Sequence, residues 1–261
     1  MINNKTFGEQ ANMEQRQTGR VHFVDELRGV FLIIIVLYHL LYDIDMLFST
    51  NHFWTQEPLI EAVRWVAASS FIVIAGISCH FTRSNIRRGI KTLGWAMAIT
   101  LITYVFMPRQ VIWFGILHLL GLCMLTYGAA FPALKKIPPP IGIILSLLLF
   151  VLTYRIFHGT IGLGDNLRIA LPESWYTKGY LFPLGFGVEG YFSSDYYPVM
   201  PWMFLFGFGF YLGNYITCEK LPAFFCREHN QFLGMIGKKT LMIYLLHQPI
   251  LYTIVWLISK V

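Results

Sequence analysis

The stretch VLYHLLYDIDML, residues 36–47, decides how this chain is read. It closes an apolar run that opens at residue 29, yet it carries His39, Asp43 and Asp45. A helix needs about 20 mostly apolar residues to cross the hydrocarbon layer of a bilayer, and the run is long enough. Ionisable groups inside such a run are costly unless they face other helices or water, so their arrangement carries information.

Working outward, 56% of the 261 residues are hydrophobic and 13% are charged. That composition is too apolar for a soluble core wrapped in a polar shell. Apolar runs recur near residues 29–49, 59–82, 91–108, 111–131, 140–157, 198–217 and 240–258, separated by polar or proline-bearing breaks. The expected fold is all-α, a polytopic membrane helical bundle of about seven spans. A flexible tail over 1–20 would precede a single transmembrane domain over 21–261. The first run is too long and too spotted with polar groups for a signal peptide, and no small-residue cleavage site follows it, so it is expected to stay as a helix.

With the N-terminus in the cytoplasm, fourteen of the twenty Lys and Arg residues fall on the inner side. They include Arg83, Arg87, Arg88 and Lys91, the pair Lys135 and Lys136, and Lys220, Arg227, Lys238 and Lys239. Short cytoplasmic loops show this bias. The formal charge of +6 thus reads as topology and as attraction to anionic membrane lipids, with no nucleic acid implied. Cys79, Cys123, Cys218 and Cys226 fall in spans or on the inner face, where they are expected to pack and not to pair as disulfides. Residues 158–197 form a long outer segment rich in Gly, Pro and aromatics. Loops of that length usually have a task, so a lid or re-entrant cap with a short helix near 166–171 is expected.

The polar residues of the first span are not scattered. At about 100° and 1.5 Å per residue, His39, Asp43, Arg28 and Asp25 share one narrow sector of the helix while Asp45 points elsewhere. Such a stripe must face the bundle interior or a wet cavity. His39 and Asp43 are spaced i, i+4, and two readings stand. They satisfy each other as helix glue, or the acid fixes the tautomer of a catalytic imidazole. His118 and His247 lie in later spans, and Pro249 after Gln248 frees backbone carbonyls in the preceding turn. Asp195 precedes the sixth span, where a carboxylate suits a helix N-terminus as well as a ligand. GFGFYLG at 207–213 follows no strand and reads as close helix packing. No HExxH motif and no CxxC pair occurs, so no metal site is expected.

VDELRGVFLIIIVLYHLLYDI, FIVIAGIS, FGILHLLGL, SSDYYPVMPWMFLFGFGFYLG and IGKKTLMIYLLHQPIL, in this order, resemble the bacterial members of the heparan-α-glucosaminide N-acetyltransferase catalytic-domain family of transmembrane acyltransferases. The likeness spans residues 21–255. It implies transfer of an acetyl group from cytoplasmic acetyl-CoA to a saccharide or glycoconjugate acceptor at the other face, in a bacterial inner membrane, with a histidine near the first helix as the key group. Small members carry theirs in the YHLLYD element, which points to His39. The lysosomal member carries its histidine in the following loop, where His52 is the nearest counterpart, so both stay open. The working assignment gives His39 and Asp43 the catalysis. Arg28, Arg87 and Arg88 would meet the coenzyme phosphates. His118, His247 and Gln248 would bind the pantetheine arm or polarise the thioester carbonyl, and Asp195, Tyr197 and Trp202 would receive the acceptor. A homo-oligomer is compatible with all of this. The competing class is a proton-coupled transporter or flippase of a small polar solute or lipid-linked sugar, which would use the same stripe. A non-catalytic scaffold is the third.

Overall fold

The computed structural model describes residues 21–48, 54–164, 167–187 and 193–260. The tail expected over 1–20, and His52, lie outside the described residues. The helices are α1 (His22–Leu47), α2 (Pro58–Ile77), α3 (Asn85–Phe106), α4 (Ile116–Leu134), α5 (Pro139–Thr153), α6 (Val199–Leu212), α7 (Ala223–Cys226), α8 (Gln231–Lys238) and α9 (Thr240–Ile258). Six are long and apolar enough to cross a membrane: α1 to α5 and α9, counting the 3-10 turns that extend α2 to Phe81 and α5 to His158. The chain is a polytopic helical membrane protein. The run expected over 198–217 is helical only from Val199 to Leu212. It stops where the Asn214 side chain donates to the Tyr211 carbonyl at 3.0 Å, meeting an acceptor that a further turn would otherwise use.

The chain forms two compact units, Met1–Ile74 with Tyr215–Val261, and Ala75–Asn214. In the first, α1 starts seven residues ahead of its apolar run because its polar first turns have partners. The Glu26 carboxylate accepts from the backbone N–H groups of His229 at 2.5 Å and Asn230 at 2.9 Å. Asn230 in turn caps α8 by accepting from the Leu233 N–H at 3.1 Å. Gly29 meets the Leu233 backbone and Gly237 meets the Asp25 backbone so closely that a methyl at either would overlap it. Gly237 thus lies at Asp25, while His247 lies at His39 and Gln248 at Asp43. Helices α1 and α9 therefore run side by side in the same direction. Val21, Val24, Ile74 and Cys226 form an apolar cluster with Phe23, Leu27 and Phe225 around the start of α1.

One cysteine expectation is corrected here. Cys79 and Cys123 are free and buried, but Cys218 and Cys226 form a disulfide. The turn that ends in Pro222 and the single turn of α7 fold the segment back until the two Cα atoms are 5.8 Å apart, within bonding range. Sequence spacing alone does not encode that return.

In the second unit α3 and α4 are antiparallel. Gly89 meets Gly121 and Leu125, and Gly128 meets Asn85 and Ile86, so small residues let the backbones approach. Gly142 of α5 lies on the Tyr211 ring, and Gly207 of α6 lies beside Tyr127 and Ser146. The glycines of GFGFYLG thus serve close packing. Phe206 and Phe210 are fully buried between them and the Tyr127 ring. Among the described residues 167–171 of the long segment there is no helix. Instead β1 (Thr160–Leu163) and β2 (Leu167–Ala170) form an antiparallel hairpin. Thr160, Ile161 and Ile169 are β-branched and favour strand, and Gly162 adopts φ 128° where its strand partner leaves no room for a Cβ. Beyond it, Tyr196 donates to the Phe182 carbonyl at 2.6 Å, and burial pushes its phenol above the usual tyrosine range, so it keeps the proton it donates.

Candidate active site

The polar stripe of α1 meets α9. His39 Nδ1 lies 3.0 Å from Nε2 of His247 and 3.2 Å from Oε1 of Gln248. Gln248 Nε2 donates to Asp43 Oδ1 at 2.8 Å. The proton positions follow from the two ends of this chain of contacts. His247 Nδ1 lies 2.6 Å from the Tyr244 carbonyl, which only accepts, so Nδ1 carries the proton and Nε2 of the neutral ring holds a lone pair. His39 must then donate to it from Nδ1. Gln248 agrees: its amide nitrogen faces the Asp43 carboxylate, so its oxygen faces the same Nδ1–H. Neutral His39 is left with its lone pair on Nε2, and among the described residues that atom makes no hydrogen bond.

Two residues in this constellation differ from expectation in their contacts. Asp43 does not bond His39 directly, because the Gln248 amide, reaching across from α9, stands between them and relays the acid's influence. Asp43 is 1% exposed, and its Oδ2 has no hydrogen-bond partner among the described residues. Arg28 donates to Asp25 at 2.9 Å and to the Gly237 carbonyl at 3.4 Å, holding the end of α8. Asp45, which points away from the stripe, accepts from the backbone N–H of Trp54 at 3.3 Å and Thr55 at 2.8 Å.

Sequence reasoning left Arg64 without a role, although a cation within a span is a signal in itself. Its guanidinium lies over the rings of Tyr38 (5.4 Å) and Trp65 (5.1 Å), and 3.6 Å from Glu61. Tyr38 is the neighbour of His39, and their rings meet edge-on at 5.9 Å.

The remaining candidates belong to the other unit. His118 is a capping residue at the start of α4. Its Nδ1 accepts from the Gly115 N–H at 3.1 Å, and its Nε2–H donates to Thr100 Oγ1 at 3.1 Å, whose own proton goes to the Ile112 carbonyl at 2.6 Å. Both ring nitrogens are committed. Asp195 caps the same helix by accepting from the Ile116 N–H at 3.1 Å, so the helix it serves is α4 and not the α6 that follows it in sequence. Tyr197 and Trp202 are buried, with ring centroids 5.3 Å apart. Arg88 donates to the Ser78 carbonyl at 3.4 Å and to Thr82 at 3.2 Å, whereas Arg87 is exposed. Among the described residues no three His, Cys, Asp or Glu side chains are grouped to hold a metal ion.

The sequence matches the family model described as heparan-alpha-glucosaminide N-acetyltransferase, catalytic, over residues 20–249. The chain belongs to this family. The match covers α1 to α8 and enters α9 as far as Pro249, so the part of the first unit that holds His39, Asp43, His247 and Gln248 lies within the family's catalytic region. No curated protein and no solved structure matches the chain. As a member of the heparan-alpha-glucosaminide N-acetyltransferase catalytic family it is a membrane-embedded protein of acetyltransferase type.

Proposed function

We propose that the chain moves an acetyl group from acetyl-CoA, taken from the cytoplasm, to a hydroxyl or amine of a saccharide acceptor at the opposite face, with His39 Nε2 as the atom that meets the reactants. The observation that carries this reading is the fixed tautomer of His39, half-buried beside the paired ring of His247 with a lone pair on the one nitrogen that no group among the described residues uses. That is the state a general base needs before the reaction. His39 Nε2 takes the proton from the acceptor O–H or N–H as that atom attacks the thioester carbonyl carbon. The C–S bond breaks, and the proton passes to the departing coenzyme thiolate, which leaves as the thiol. While the ring carries the extra proton, Nδ1–H remains bonded to His247 Nε2 and Gln248 Oε1, and Gln248 ties that charge to Asp43. The same lone pair would also serve if the acetyl group rests briefly on the ring.

The supporting roles are part of the proposal. In the first unit Arg28 holds the Gly237 carbonyl, and in the second Arg88 holds the Ser78 carbonyl, so neither is assigned to the coenzyme phosphates. His118 and Asp195 remain caps of α4. Transporter chemistry is favoured by a different feature, the unpartnered Oδ2 of Asp43, which a travelling proton could visit. One assay separates the two. Purified protein given acetyl-CoA and an amino sugar should release coenzyme thiol without any pH gradient, and His39→Ala should abolish release with an unchanged melting temperature. Full thiol release by His39→Ala, or solute movement only under a pH gradient, rejects the proposal.

A further inference from the structure

Helix α8 is not a span. Its eight residues make about 12 Å of helix, against about 30 Å of hydrocarbon. One side of it is fixed to α1, with Gly234 and Gly237 buried and the backbone contacts at Gly29 and Asp25 closed. The other side presents Phe232, 61% exposed, and Met235, 47% exposed. Exposed cations stand at both ends, Arg227 before the helix and Lys238 and Lys239 at its close. Lys238 is paired with Glu228 at 3.2 Å. Neither Arg227 nor Lys239 has a side-chain partner among the described residues. At about 1.5 Å per residue α1 is about 39 Å long, so it outruns the hydrocarbon by about two turns, and α8 packs against the turn from Asp25 to Gly29 near its start.

We propose that α8 lies in the headgroup layer and is a binding surface for anionic phospholipid. Phe232 and Met235 dip into the acyl boundary while Arg227 and Lys239 hold phosphate-bearing headgroups on either side. Apolar side chains between flanking cations, on a helix too short to cross, are the pattern of an interfacial anchor, and a basic surface beside a bilayer draws anionic lipid. The seat matters to the rest of the unit because α8 reaches α9 through Lys239 alone, so lipid held there bears on the helix that carries His247 and Gln248.

The test places a photoreactive benzophenone at one position, Phe232→p-benzoylphenylalanine, in the full chain reconstituted in nanodiscs of phosphatidylcholine with a minor fraction of phosphatidylglycerol. After irradiation, mass spectrometry should find phospholipid adducts, with phosphatidylglycerol enriched at least about threefold over its share of the bilayer. Arg227→Gln with Lys239→Gln should keep the lipid adducts and lose the enrichment. Adducts in simple proportion to the lipid mixture overturn the anionic headgroup site, as does enrichment that survives the double substitution. A cross-link to a second copy, or no adduct at all, overturns the surface altogether.

Discussion

At the scale of single residues the useful contrast is between two histidines that look alike in sequence, His118 buried and His39 half-buried. Each sits in an apolar helix; only the contacts of the ring nitrogens separate them. His118 spends both on Gly115 and Thr100, so His118→Ala should cost stability, about 1–2 kcal/mol by analogy with a lost cap, measured as a lower melting temperature with little change in turnover per folded molecule. Among the described residues His39 keeps one nitrogen free, and His247 and Gln248 together fix which one. Gln248→Leu removes the amide that joins Asp43 to His39, and loss of one such hydrogen bond, about 0.5–1.5 kcal/mol, should lower kcat by about threefold to tenfold. Asp43→Asn keeps an oxygen for the Gln248 N–H and should retain more activity than Gln248→Leu. Equal loss in both would show that the acid itself, not the orientation it imposes, matters. Helical spacing alone reveals the sector shared by His39 and Asp43. It could not reveal Gln248 between them, because that residue comes from a helix over 200 positions away.

At the scale of elements, long apolar runs were easy to place, since span length is set by bilayer thickness. Their ends were not. The start of α1 is polar in sequence, and its helical extension rests on Glu26 and Gly29 meeting α8, contacts with no local signature. The short helix expected near 166–171 gives way to strand β2 over Leu167–Ala170, since a stretch of six residues is too brief for a helical period to show. The glycine contacts give a direct check on the α1–α8 junction. At Gly237 a methyl would overlap the Asp25 backbone, which has no flexible end to yield. Gly237→Ala should therefore destabilise by about 1–3 kcal/mol through overpacking, visible as a lower melting temperature in detergent. Gly94→Ala, at a position facing open space, should leave it unchanged.

At the scale of the molecule, direction settles a count that helix length leaves open. Helices α1 and α9 run the same way, with Asp25 at Gly237 and Asp43 at Gln248. The chain must therefore cross an odd number of times between the end of one and the start of the other. Helices α2 to α5 are long and apolar enough for four crossings, so the expected fifth is α6 with its flanking turns, although its 14 residues reach only about 21 Å. Seven crossings would leave the two chain ends on opposite sides, and the cation bias predicts a cytoplasmic N-terminus. A phosphatase that works only outside the cytoplasm should accordingly be active when fused after Val261 and silent when fused after Lys136. The disulfide offers an independent check, because Cys218 and Cys226 pack with Val21 and Val24 at the start of α1 and so share its side. A cytoplasmic position would open that bond in growing cells, against the pairing the structure shows. Thiols trapped by alkylation at lysis should then show the same number of tags with or without prior reductant. Two extra tags after reduction, together with a silent fusion after Val261, would turn the whole bundle over in the membrane.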